Sequence, residues 1–124
     1  MRAGRGAGVN RFQAVVRFEI HAGKEEEFRR IAANMIRLTR EKDTGTLRLD
    51  IFVNDDGSEA VFYEEFVSPE ARLDHLANMG THVADMLAIG NMRAEVWTHG
   101  DHALRASVQG FDVRFYTPFL RLKA

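Results

Sequence analysis

Cysteine is absent from this chain of 124 residues, which removes disulfides, thiolate metal sites, iron–sulfur clusters and cysteine nucleophiles from consideration. Equally missing is an apolar run near the roughly 20 residues that a bilayer-spanning helix needs. There is no excess of one charge: the net value is −1, so nothing draws the chain to nucleic acid or to an anionic membrane. No Ser-His-Asp, Walker or dinucleotide pattern is present, and Gly4, Gly6 and Gly8 resemble a phosphate loop only superficially, because no strand precedes them. Met1 to Val9 lacks the apolar centre of a signal peptide. Residues 1–10 therefore read as a flexible tail, and the expected location is cytoplasmic. What remains is an ordinary balance of 45% apolar and 28% charged residues, enough for one folded domain and too short for two.

Hydrophobic patterning divides residues 11–100 into six elements. Phe12 to Ile20 alternates with period two and reads as a half-buried strand. Gly23 interrupts it, and Phe28, Ile31, Met35 and Leu38 then mark the apolar stripe of a helix from about Lys24 to Asp43. Glu25, Glu26 and Glu27 at its start and Arg37, Arg40 and Lys42 near its end complement the helix dipole, with Gly45 as the stop. Thr46–Asn54 reads as a strand, and Asp55-Asp56-Gly57-Ser58 predicts a hairpin into Glu59–Val67. Ser68 and Pro69 suit the cap and first position of a helix running to about Ala88, broken at Gly80 and re-capped by Thr81. Met92–His99 is a fourth strand. Residues 101–124 form an extension of the same domain, a helix capped by Asp101 and a strand from Asp112 to about Leu122.

The order β-α-β-β-α-β is that of a ferredoxin-like α+β fold, an antiparallel sheet with helices on one face. Val15, Phe52 and either Tyr63 or the pair Phe62 and Phe66 then point to the other face. An uncovered apolar sheet face asks for a partner, and two sheets packed face to face would satisfy it. A homodimer is the expectation. The last strand, left alone, would be an aggregation hazard, so it should pair with a sheet edge or reach the partner subunit.

The chemistry concentrates near the third strand and the helix after it. Imidazole as a group titrates near neutrality, so His75 suits a general base or a hydrogen-bond anchor; a packing histidine is the plainer alternative. Glu64 and Glu65 are adjacent on a strand, point to opposite faces and cannot form a paired-carboxylate site; one of them tied to Arg17 or Arg48 is the plainer alternative. His82 and Asp85 with His75 make a poor zinc set. His99 and His102 read as loop residues. Tyr63, Phe66 and Trp97 offer flat rings to a flat ligand, or ordinary core packing.

Gly23 before an acidic helix opening, Gly45-Thr46-Leu47, Tyr63-Glu64-Glu65-Phe66 with Ser68, and Ala71 followed by His75 are together similar to the antibiotic biosynthesis monooxygenase family. The resemblance spans about Val15 to Trp97, and Thr44 stands where many members carry proline. It implies a dimeric α+β barrel with a pocket in each subunit between sheet and helices. It also implies oxidation of a small phenolic or quinol-type metabolite by molecular oxygen, with no metal, flavin or haem. On this chain it makes His75 the catalytic base or anchor and Glu64 its orienting partner. Tyr63, Phe66, Trp97 and His82 are then substrate-binding. Haem-degrading relatives carry asparagine, tryptophan and a ligand histidine where this chain has Val16, His75 and Asp85, which argues against haem. A small-ligand-binding dimer without turnover is the alternative, as is an isomerase of a small phosphorylated metabolite, which would need Arg17, Arg48 or Arg93 to point inward.

Overall fold

The computed structural model describes residues 11–98 and 102–123, so the expected tail, His99 and the Asp101 cap lie outside the described residues. Strand β1 spans Phe12–Ile20 and helix α1 Glu25–Lys42; strands β2 and β3 span Thr46–Val53 and Glu59–Phe66. Helices α2 and α3 cover Pro69–Met79 and His82–Leu87, and strand β4 runs Gly90–Val96. The extension supplies helix α4, His102–Ser107, and strand β5, Val113–Phe115. The strands form one sheet in the order β2-β3-β1-β4-β5. The first four are antiparallel, the ferredoxin-like arrangement, while β5 joins β4 in parallel, making the sheet mixed.

Local sequence explains the breaks. The Ser68 hydroxyl accepts the Ala71 N–H at 3.1 Å, with Pro69 in the first turn, so the expected cap is present. Gly80, at φ 61°, separates α2 from α3, but the Thr81 side chain makes no capping bond. The hairpin is held by Asn54 Oδ1, which accepts from Glu59 N, and by Asp56 Oδ1, which accepts from Ser58 N; Gly57 supplies the positive φ of 76°. Helix α1 stops one residue earlier than its pattern suggests, with Asp43 turning to extended backbone. Gly45 serves contact rather than turning: a Cβ there would stand 2.6 Å from the Ala71 Cβ. Its lack of a side chain lets α2 close on the end of α1.

The inner face of the sheet carries Phe12, Ala14, Val16, Phe18 and Ile20 of β1, as the alternation predicts, and receives the helices. One core cluster joins Phe18, Phe28, Ile31, Phe62, Met79 and Met86. Within it the Phe18 and Phe28 rings stack at 5.8 Å and Phe62 meets Phe28 edge-on at 6.2 Å. Each such burial contributes about 1.5–3 kcal/mol. A second cluster joins Phe12, Ala14, Phe66, Ala71 and Val96 to Leu104 of α4, with Val113 and Phe115 of β5 against it.

The last strand is shorter than its apolar pattern suggests. Strand β5 contributes three residues, opposite Ala94, Glu95 and Val96, and Tyr116 N adds one bond to Val96 O. Strand β4 ends at Val96, which removes the template, and Pro118 has no N–H to donate. Phe119, Leu120 and Leu122 follow as exposed side chains, Phe119 at 91%. The extension therefore does pair with a sheet edge, but only through its beginning.

Candidate active site

Between the inner sheet face and the helices lies a cavity of about 250 Å³. Phe12, Ala14 and Val16 of β1 with Ala94 and Val96 of β4 form its floor. Met35, Val83 and Met86 enclose one side, and Val108, Phe111 and Val113 of the extension close another. Its polar side chains are few: Glu64, Arg72, His75 and Ser107.

His75 is the best-positioned of them. It sits two turns into α2, its side chain 3% exposed, with Nδ1 2.6 Å from Asp43 Oδ2; the Asp43 side chain is 4% exposed. Asp43 also accepts from Thr46 Oγ1 at 2.6 Å and from Asn78 Nδ2 at 2.8 Å. Burial acts to raise the Asp43 carboxyl, but the bonds from Thr46, Asn78 and His75 outweigh it and hold the group below the ordinary carboxylate range. An ionised carboxylate only accepts, so the His75 Nδ1–H is the donor. Nε2 is then the nitrogen left to abstract a proton, and Asp43 is placed to stabilise the resulting imidazolium. Behind the imidazole lies the Phe66 ring, 5.3 Å away between centroids.

Glu64 stands on β3 opposite Ala14, on the inner face, and reaches the same cavity. Burial pushes its carboxyl upward, against the opposing pull of His75 and Arg72. Arg72, one turn before His75 on α2, is in turn lowered by burial and raised by Glu64. His75 and Glu64 thus meet at one largely apolar space.

Other candidate residues are elsewhere. Phe66 is fully buried in the second core cluster, edge-on to Phe12 at 6.0 Å, and does not line the cavity. Tyr63 pairs with Val15 in the sheet register and therefore faces the outer side, where its ring lies 6.3 Å from Trp97 and under the Arg48 guanidinium at 4.4 Å. Alternation along the strands dictates this: a pocket against the inner face takes Glu64 and leaves Tyr63 and Trp97 outside. His82 turns its Nδ1 to the Met79 carbonyl at 3.0 Å, away from the cavity. Glu65 faces outward and is tied by Arg11, not by Arg17 or Arg48. Arg17, Arg48 and Arg93 share that outer face, so the inward basic lining that a phosphorylated substrate would use is not formed by them. No cluster of three or more His, Asp or Glu side chains suited to a metal occurs among the described residues.

Asp43 was the residue hardest to anticipate, yet it left a signal. An acid at the C-terminal end of α1 opposes the helix dipole, and a local rule broken without local compensation often marks a site. Arg72 left none beyond its i, i+3 spacing from His75.

The chain matches the antibiotic biosynthesis monooxygenase family over residues 11–86, and it belongs to that family. The fold agrees. MupZ from Pseudomonas fluorescens superposes with a TM-score of 0.79 at 19% identity, covering 93% of this chain and 95% of its own. SnoaB, a cofactor-independent oxygenase from Streptomyces nogalater, gives 0.63 at 19% identity, covering 74% and 95%. Protein SO0527 from Shewanella oneidensis gives 0.63 at 23%, covering 72% and 90%. These likenesses concern the fold alone. The wider coverage by MupZ reaches into the C-terminal extension. No curated protein matches the sequence significantly.

Proposed function

We propose that this chain is a cofactor-independent monooxygenase that oxidises a small hydroxylated aromatic or quinol-type metabolite. The observation that carries the reading is the buried Asp43–His75 pair beside a largely apolar cavity, with family membership as its context. His75 Nε2 takes the proton of a substrate hydroxyl, and Asp43 holds the imidazole for that transfer. The anion so formed is electron-rich and reacts at a ring carbon with molecular oxygen, while the cavity excludes water. On a ring methylene the balance closes without an external reductant. CH2 becomes C=O, one oxygen atom stays on carbon, and the other leaves as water with both hydrogens. The imidazolium of His75 is placed to return its proton to the departing oxygen.

The working form is a homodimer closed across the outer sheet face. Val15 is only 5% exposed there, whereas Phe52 and Trp97 are open, and a second sheet would cover them. Oxygen consumption by metal-free protein with quinols and anthrones tests the enzyme reading. His75→Ala should lower the rate by ~10²–10⁴-fold. Uptake unchanged in that variant would remove His75 as base, and no uptake over background would sink the reading.

A further inference from the structure

The cavity holds a cation without a counter-charge in bonding distance. Arg72 lines it with the guanidinium 5.6 Å over the Phe12 ring. No carboxylate of the described residues forms an ion pair with it, and neither the Arg72 nor the Glu64 side chain has a hydrogen-bond partner among them. No fully buried side-chain N or O lacks a partner among the described residues, so the free polar atoms of Arg72 and Glu64 keep surface open to the cavity. Without a protein partner, these atoms are left to water. A ligand that displaces that water must replace its acceptors or leave a desolvated cation unpaired, which is costly.

We propose that Arg72 and Glu64 form an anion-receiving subsite, and that the molecule taken by this cavity is an apolar ring system of about two fused rings bearing a carboxylate. The proposal rests on the reading of the cavity as a substrate site and names the substrate's polar group. The size follows from volume: a cavity of ~150 Å³ admits a benzene, and this one measures about 250 Å³. The polar group follows from shape, because the planar guanidinium fork matches a carboxylate with two parallel N–H···O bonds. Glu64 would repel that carboxylate if ionised. Burial favours its neutral form, which donates one O–H instead. Arg72 and His75, three residues apart on α2, share one helix face, so a carboxylate on Arg72 leaves the rest of the ring beside His75. Arg72 is thus a specificity-determining residue, and its contribution is to orientation rather than to proton transfer.

Calorimetric titration of the full chain at neutral pH with 2-naphthoate and its isosteric neutral analogue 2-naphthamide tests this without turnover. Naphthoate should bind at least ~10-fold tighter than naphthamide, a charge-assisted bond's share of affinity. Arg72→Met should abolish that preference while keeping naphthamide binding, and Arg72→Lys should retain part of it. Equal binding of the two ligands by the wild-type protein, absence of naphthoate binding at millimolar concentration, or a preference that survives in Arg72→Met would each overturn the proposal. The wild-type comparison stands even if the methionine variant does not fold. Oxygen uptake with neutral quinols but no naphthoate preference would overturn this inference alone. Naphthoate preference without uptake on any hydroxylated substrate would overturn the oxygenase reading alone.

Discussion

The two faces of the sheet are made of the same strands and serve opposite ends. Inward, β1 and β3 present Ala14, Val16, Phe62 and Glu64 to a space that is apolar except at one corner. Outward, the same strands present Gln13, Tyr63 and Glu65, bound to one another and to neighbours: Gln13 Nε2 to Tyr63 Oη at 3.0 Å, Arg48 to Asp50 and over Tyr63, Arg11 to Glu65. Gln13, Tyr63 and Glu65 find their partners on or beside the outer face itself. The inner face leaves Glu64 and Arg72 without such partners. Polar residues that are many and paired make a surface, whereas polar residues that are few, half-buried and unpaired mark a candidate site.

Three experiments would break or sharpen that contrast. The largest effect is expected at Asp43, whose removal leaves donors from His75, Thr46 and Asn78 facing no acceptor. Asp43→Ala should cost about 3–5 kcal/mol of stability in urea unfolding; a loss below about 1 kcal/mol would show the cluster is not a structural unit. Next comes the outer face. Phe52→Asp, at an exposed position, should leave the circular dichroism of the chain intact and weaken self-association by an order of magnitude or more in sedimentation. An unchanged association constant would place any dimer contact elsewhere. The smallest effect is a slope. Glu64 is raised in the folded chain, so its contribution is complete below the ordinary glutamate range and is lost as pH rises through the folded value. Asp43 is lowered, so its contribution is present above the ordinary aspartate range and is lost as pH falls through the folded value. Glu64→Gln should remove the alkaline-side loss and leave the acid-side loss in place. A variant with both slopes unchanged would mean that Glu64 is solvated.

Much of this was legible in the sequence because periodicity reports burial. The run from Phe12 to Ile20 gave the first strand and its inner face residue by residue, and Asp55 to Ser58 gave the hairpin. Ser68, Pro69 and Gly80 gave the ends of α2. The site was read less fully. His75 and Glu64 do share the cavity, but the partner that orients His75 lies 32 residues earlier, at Asp43, and no local pattern encodes a pairing across that distance. Tyr63 and Trp97 were drawn toward the pocket by their chemistry, although strand alternation already set Tyr63 on the face opposite Glu64. The extension was harder still. Its sequence suggests a strand to about Leu122, but strand length depends on the neighbour, and β4 ends at Val96.

The bare backbone at Gly45 has a consequence for the Asp43–His75 pair. Asp43 lies two residues before it, and Ala71, against which it packs, lies one helical turn before His75. The 2.6 Å separation of Asp43 and His75 is therefore gauged by a missing methyl group two residues away. A side chain at position 45 would act as a shim. It would push α2 outward and lengthen that bond while leaving both bonded residues unaltered. A position with no polar group of its own thus sets the tolerance to which the buried pair is built.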